Sequence, residues 1–251
     1  YQMAFRILQP QLDFSATFVD GKFTGTVTGP LGSLSTWEGV KAPKLKPAKE
    51  YVWLDPIILF DGTGMDSWTT HDTYSDVDFT QFGIFDYGDN WSLVDGVLQN
   101  TSFGYELRTV EEYEDFHLHC EVRFPVEDGN SGVYLRGRYE VQIIDSTIAA
   151  DDPAFDPTTM RTGAIYSLIA PKSDATITSA GQWHEIDITL TGRVVTVVVD
   201  GRVAVKSRKI PGITGGAIDS NELMPGPIML QGSETAVEYR NIVLTPAIPI
   251  N

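Results

Sequence analysis

The stretch Asp115-Phe-His-Leu-His-Cys-Glu-Val-Arg-Phe124 alternates polar and apolar residues without a break. Phe116, Leu118, Cys120, Val122 and Phe124 fall on one side, and His117, His119, Glu121 and Arg123 on the other. Successive side chains of an extended chain point to opposite faces, so a half-buried strand gathers the apolar residues on one surface, whereas a helix would scatter them. The same period recurs along the chain. Val194-Val-Thr-Val-Val-Val199 is β-branched and suits a strand with little exposure. Asp-Gly pairs at Asp20-Gly21, Asp95-Gly96 and Asp200-Gly201 stand between apolar or aromatic runs. Both residue types tolerate the positive φ of a two-residue turn, which predicts hairpins over 15–26, 91–99 and 194–205. No window of helical length carries a capped apolar stripe. The spacing allows one helical turn over 110–115, capped by Thr109. Many short strands separated by turns predict an all-β sandwich or barrel.

With 251 residues the chain can bury a sizeable core. Lys41-Ala-Pro-Lys-Leu-Lys-Pro-Ala-Lys-Glu50 reads as an extended connector. It divides the chain into a β-rich extension with connector, 1–50, and a main domain, 51–251. The short segment holds too few residues for a comfortable core and is expected to pack on the main body. Asp151, Asp152, Asp156, Pro153 and Pro157 mark a long loop. Lys plus Arg number 18 and Asp plus Glu 34, a net charge of −16 that repels phosphate backbones and anionic lipid surfaces, so no nucleic-acid partner is expected. No apolar run approaches the ~18 residues of a membrane span, and no membrane insertion is expected. The chain opens at Tyr1 without a secretory leader, which processing or trimming would remove. The single cysteine, Cys120, cannot form an intrachain disulfide or a thiolate cluster, and its place on the apolar face makes it a packed thiol.

The densest polar chemistry lies in Asn130-Ser-Gly-Val-Tyr-Leu-Arg-Gly-Arg-Tyr-Glu-Val-Gln-Ile-Ile-Asp145. Two strands meeting at Gly137-Arg138 would bury Val133, Leu135, Val141 and Ile143. Tyr134, Arg136, Glu140 and Gln142 would then share the opposite face. The same parity turns Tyr166 and Gln231 outward. A polar strand face is often merely solvated. This one carries phenol, guanidinium, carboxylate and amide groups but no lysine, a mixture suited to sugar hydroxyls, which both donate and accept. His117, His119 and Glu121 share one face of their strand, a spacing open to metal ligation, acid–base work or plain hydrogen bonding. His71 and His184 lack ligand spacing to another histidine and read as structural or solvated. No HExxH, GxSxG or phosphate-cradling glycine loop is present.

Several blocks in order resemble the 3-keto-disaccharide hydrolase family. They are Leu59-Phe-Asp-Gly62 with Trp68, Trp91-Ser-Leu-Val-Asp-Gly-Val-Leu98, and the strand 115–125, similar to "DFxLHxExRxP". Asn130-Ser-Gly-Val-Tyr-Leu-Arg-Gly137 with Tyr139-Glu-Val-Gln-Ile-Ile-Asp145, Gly163-Ala-Ile-Tyr166, Gly181-Gln-Trp183, Gly226-Pro-Ile-Met-Leu-Gln231 and Arg240-Asn241 complete the likeness. It spans about Leu59 to Pro246. The resemblance implies a concanavalin A-like jelly roll of two curved antiparallel sheets with the ligand on the concave one. It implies a carbohydrate substrate, a glycoside already oxidised at C3, and a secreted or periplasmic location.

A C3 ketone acidifies the C2 proton, so a base can form an enolate and expel the C1 oxygen, with water addition giving net hydrolysis. On this reading Glu140, Glu121 and His119 are the catalytic candidates, and Tyr134, Arg136, Gln142, Tyr166 and Gln231 bind substrate. Glu140 or Glu121 would be the base. Arg136, or a divalent metal ion of unknown identity held by a carboxylate and His119, would stabilise the enolate. The alternatives are a two-carboxylate glycosidase using Glu121 and Glu140, a non-catalytic carbohydrate-binding module, and a structural domain. The chain departs from the family in two places. Ser233 stands where many members have the histidine of "LQxHG", and 69–90 is longer than the usual link.

Overall fold

Alternation in the sequence becomes alternation in burial. The computed structural model describes residues 2–7, 12–28, 34–40, 43–45, 47–73, 75, 80, 85–145, 158–172, 180–232 and 234–250. The chain divides into two compact units, Tyr1–Lys44 and Leu45–Asn251. The first is a four-stranded antiparallel meander of β1 (Gln2–Ile7), β2 (Leu12–Val19), β3 (Lys22–Thr28) and β4 (Leu34–Val40).

The second unit opens with β5 (Glu50–Trp53), β6 (Ile57–Phe60), β7 (Trp68–His71), β8 (Trp91–Val94), β9 (Val97–Asn100) and β10 (Glu106–Thr109). It continues with β11 (Asp115–Arg123), β12 (Asn130–Leu135), β13 (Tyr139–Ile144), β14 (His184–Thr191), β15 (Val194–Val199) and β16 (Arg202–Lys209). The last two strands are β17 (Met229–Leu230) and β18 (Val237–Ile250). One sheet has the order β13-β12-β17-β10-β7. The larger runs β16-β15-β14-β11-β18-β9-β8, with β5 and β6 also paired to β18. Every pairing between these strands is antiparallel.

The two sheets close on one core, which makes the unit an all-β sandwich. Phe116, Leu118, Cys120 and Val122 of β11 and Ile186, Ile188 and Leu190 of β14 are fully buried from one side. Leu107, Val133, Leu135, Val141, Ile143 and Leu230 meet them from the other. Burying one such side chain contributes about 1.5–3 kcal/mol, so the strict period-two runs fix which face of each strand turns inward. Burial also pushes the Cys120 thiol up to about 12, consistent with an inert packed residue.

The three predicted hairpins are present at β2–β3, β8–β9 and β15–β16. In each turn both residues have positive φ: 50° and 82° at Asp20-Gly21, 50° and 77° at Asp95-Gly96, 48° and 71° at Asp200-Gly201. The helical turn expected over 110–115 is absent. The Thr109 hydroxyl donates to the Glu111 carbonyl, and Tyr113 forms an isolated bridge with Gly226 instead. The proline-rich loop at 151–157 and Ser233 lie outside the described residues, as does part of 69–90. Among the described residues no helix is long and apolar enough to cross a membrane.

Candidate functional site

The inward face of the five-stranded sheet is spent on the core, so its outward face carries the chemistry. Tyr134 of β12 pairs with Glu140 of β13 and with Met229 of β17, and Arg108 of β10 pairs with Met229 on the far side. One cross-strand row is therefore Glu140, Tyr134, Met229, Arg108. The adjacent row is Gln142, Gly132, Gln231, Glu106 and His71, by the same registers and the Gln231 N–H to Gly132 carbonyl bond of 2.9 Å. Strands lie ~4.8 Å apart, so the face from Glu140 to Arg108, three strand spacings, spans about 14 Å.

Glu140 is the most perturbed carboxyl on this face. It is 2 % exposed. Burial pushes it up to about 8; the Tyr134 hydrogen bond opposes this, and the charges of Glu106 and Glu234 add to it. The Tyr134 hydroxyl lies 3.0 Å from the Glu140 carboxylate and 3.0 Å from the Gly215 carbonyl. It has one proton, so it serves one acceptor at a time and can accept from a protonated Glu140 while donating to Gly215. Gly132 makes room for the carboxyl: a Cβ there would sit 2.5 Å from Glu140 Oε1. Thr214 Oγ1 accepts the Glu140 N–H at 2.9 Å and fixes the strand beneath.

The amides beside Glu140 are poised as acceptors. Gln142 donates through Nε2 to Asn130 at 3.1 Å, and its Oε1 has no partner among the described residues. Gln231 Oε1 is likewise buried and unpartnered. An orphaned buried acceptor is costly unless a ligand donor meets it. Tyr166 is half-buried beside the same loop, its ring 3.6 Å from the place a Gly215 Cβ would take, and its N–H bonds the Glu140 carbonyl at 3.1 Å.

Three residues expected at this site are elsewhere. β12 ends at Leu135, and Arg136 and Gly137 have φ of 54° and 63°, so the alternation stops one residue before Arg136. Its guanidinium turns into the protein, 1 % exposed, and donates to the Glu114 carbonyl at 2.7 Å, the Gly192 carbonyl at 2.9 Å and Asp115 at 3.2 Å. Arg136 thus holds the turn and does not face the substrate side.

Glu121 and His119 lie on the outer face of the other sheet, with the core between them and Glu140. Arg240 and Asn241 bind the Glu121 carboxylate, Arg240 at 2.7 and 2.5 Å, across a register shift between β11 and β18. Burial raises Glu121, but these bonds outweigh it and hold the carboxyl below its ordinary value. His119 bonds Asp187 at 3.0 Å. Among the described residues no group of three or more His, Cys, Asp or Glu is arranged to hold a metal ion, and His119 has no carboxylate of the Glu140 face within its surroundings. The carboxylates beside His119 are Asp187 and Glu121, on the sheet face turned away from Glu140.

Four residues that sequence reasoning did not select belong to the Glu140 side. Glu106 accepts the Gly232 N–H at 2.6 Å and is buried. Burial raises Glu234. His71 is held below its ordinary value by burial and by Arg108, which keeps the imidazole neutral. The signal for Glu106 and Arg108 was the apolar Leu107 between them; for His71, read as structural or solvated, it was its opposite parity to the core residue Trp68.

No curated protein matches the chain significantly. A structure from Parabacteroides distasonis ATCC 8503, provisionally assigned as a glycosyl hydrolase, is 26% identical with a TM-score of 0.57, covering 86% of this chain and 98% of its own. A second from the same organism, likewise assigned, is 16% identical with a TM-score of 0.57, covering 76% and 93%; it shows the shared fold. The model of the 3-keto-alpha-glucoside-1,2-lyase-like domain matches residues 55–245, which include β6 to β17, the start of β18 and every residue of the Glu140 face, and the chain belongs to that family.

Proposed function

We propose that the chain cleaves 3-keto-glycosides on the outward face of the five-stranded sheet, with Glu140 moving the proton. The observation that carries this is a buried carboxyl with a pKa near 8 beside unpartnered amide acceptors. A base of that strength is better matched to a carbon acid than an ordinary carboxylate, and about a tenth of it is ionised at pH 7. Glu140 takes the C2 proton; the C2–H electron pair delocalises onto the C3 oxygen as an enolate. The enolate reforms the ketone, now conjugated with the new C1–C2 double bond, as the C1–O bond breaks, and Glu140 returns the proton to the leaving oxygen. Gln142, Gln231 and Tyr166 hold ring hydroxyls. Water adding to the unsaturated product gives net hydrolysis.

No step is routed through a metal ion. The extracytoplasmic location rests on family likeness alone. A two-carboxylate glycosidase built on Glu121 and Glu140 is disfavoured because the two sit on opposite outer faces. A binding module is disfavoured because it has no use for a carboxyl kept protonated at neutral pH.

The deciding experiment compares turnover of a 3-keto-glucoside and its unoxidised parent by the wild type and Glu140→Gln. The reading expects cleavage of the keto substrate only, loss of activity in Glu140→Gln, and a rate that rises with pH through about 8, as for a base. Equal cleavage of both substrates, or a fully active Glu140→Gln, would falsify it.

A further inference from the structure

The outer face of the nine-stranded sheet carries an open groove of about 270 Å³ lined by Trp53, His117, Thr189 and Thr245. Its construction follows from parity. Phe116, Leu118, Leu190 and Leu244 are core residues, so His117, Thr189 and Thr245 between or beside them must face outward. β11 sets His117 directly opposite Thr189 on one side and Thr245 on the other. Trp53, on the neighbouring strand β5, is 46% exposed and closes one end.

The floor is pre-organised. His117 Nδ1 lies 3.1 Å from the Thr189 hydroxyl, and its Nε2 lies 3.4 Å from Asp187, which also meets His119 at 3.0 Å. The imidazole is held upright between two partners. The Thr245 side chain completes the lining on the β18 side. Tyr51, two residues before Trp53 and on the same side of β5, receives the Ala48 N–H at 2.7 Å and reaches Thr191.

We propose that this groove is a second, non-catalytic binding site for one neutral sugar ring, stacked on Trp53 with its hydroxyls on Thr189 and Thr245, the Thr189 hydroxyl being oriented by His117. An exposed indole offers a flat apolar face to the C–H side of a pyranose. The other lining groups are threonine hydroxyls, matching groups that both donate and accept. No lysine or arginine lines the groove, and the chain carries a net charge of −16, so an anionic ligand is excluded on charge. A stable protein partner needs on the order of 1,000 Å² of buried surface, far more than a groove walled by four residues supplies. The site faces away from Glu140, so it would anchor the enzyme to a glycan whose ends are processed on the other sheet. It does not depend on the assignment of Glu140.

Affinity gel electrophoresis of the full chain in laminarin, dextran and xyloglucan gels, with polygalacturonate as the anionic control, tests the site. The wild type and Glu140→Gln are expected to be retarded in at least one neutral gel and not in polygalacturonate. Trp53→Ala should weaken that retardation at least tenfold, and Trp53→Phe, which keeps a ring, should restore part of it. Absence of retardation of the wild type in all three neutral gels overturns the proposal. So does retardation lost in Glu140→Gln but kept in Trp53→Ala, which would place binding on the other face. A change from dimer to monomer in Trp53→Ala with unaltered retardation would show a protein contact instead, and also overturns it.

Discussion

Replacing Glu140 by Gln separates what the carboxyl costs the fold from what it does for chemistry. The amide keeps the shape and can donate to the Tyr134 hydroxyl while that hydroxyl donates to the Gly215 carbonyl, so no polar group is orphaned. Burial moves Glu140 from the ordinary 4.5 to about 8. A raised folded-state pKa means that the native protein holds the proton more tightly than the unfolded chain. The associated stability is fully present below 4.5 and is lost as pH rises to about 8. At about 1.4 kcal/mol per pH unit, the whole gap amounts to roughly 5 kcal/mol, undiscounted because the group is almost fully buried. Between pH 5 and pH 9 the variant should gain about 4 kcal/mol on the wild type, more than half of it between pH 5 and pH 7. Urea unfolding of both proteins at pH 5, 7 and 9 reads the difference, in which all other titrations cancel. The variant should be the more stable protein at pH 9 and inactive at every pH, a stability–activity trade-off. A stability difference that stays constant within about 1 kcal/mol across that range would refute the argument, because it would mean that Glu140 titrates alike in both states.

Glu106→Gln removes one of the like charges that raise Glu140 while leaving an acceptor for the Gly232 N–H, so the midpoint of the pH–rate profile should move down; an unmoved midpoint would take Glu106 out of the site. Arg136→Ala leaves Asp115 buried without its cation and should cost about 3–5 kcal/mol in chemical denaturation, while kcat/KM per folded molecule holds; a selective loss of kcat/KM would return Arg136 to the substrate. Glu121→Gln loosens the clamp on Arg240 and Asn241 and should cost about 1 kcal/mol with activity within about twofold of wild type; a hundredfold loss of activity would restore Glu121 as a catalytic group.

What the sequence made legible was local. A nine-residue run such as β11 determines its own burial, and an Asp-Gly pair determines its own turn, because both depend on neighbours in the chain. Two kinds of information were not local. Alternation says which residues share a face of a strand but not which sheet the strand joins. β11 and β13 both point their apolar side chains at one core, so Glu121 and Glu140, each outward on its own strand, end on opposite surfaces. The row that joins Glu140 to Arg108 runs through β17, a strand of two residues about ninety positions away in sequence from Glu140, and no period can be read from two residues. The error at Arg136 was an extrapolation of period two by one residue, past the point where the backbone enters the left-handed region.

That left-handed turn is more than a connector. Arg136 and Arg138 lie within four residues of Glu140, and on a regular strand at least one guanidinium would stand beside the carboxyl. A nearby guanidinium favours the ionised form and would pull Glu140 down by one unit or more. The turn sends both away: Arg136 to Asp115, and Arg138 to Asp219 at 2.6 and 3.0 Å. The outer face of the nine-stranded sheet is settled differently, with Glu121 on Arg240, Arg123 on Glu238 and Asp187 between two histidines. There hydrogen bonds from Asn241 and Arg240 hold Glu121, and hydrogen bonds with His117 and His119 hold Asp187, below their ordinary values. At Glu140 the neutralising partner is a proton, which can be given and taken. The same sandwich therefore carries ionised, anchored carboxylates on one surface and a proton carrier on the other, and the conformation of Arg136-Gly137 separates the two.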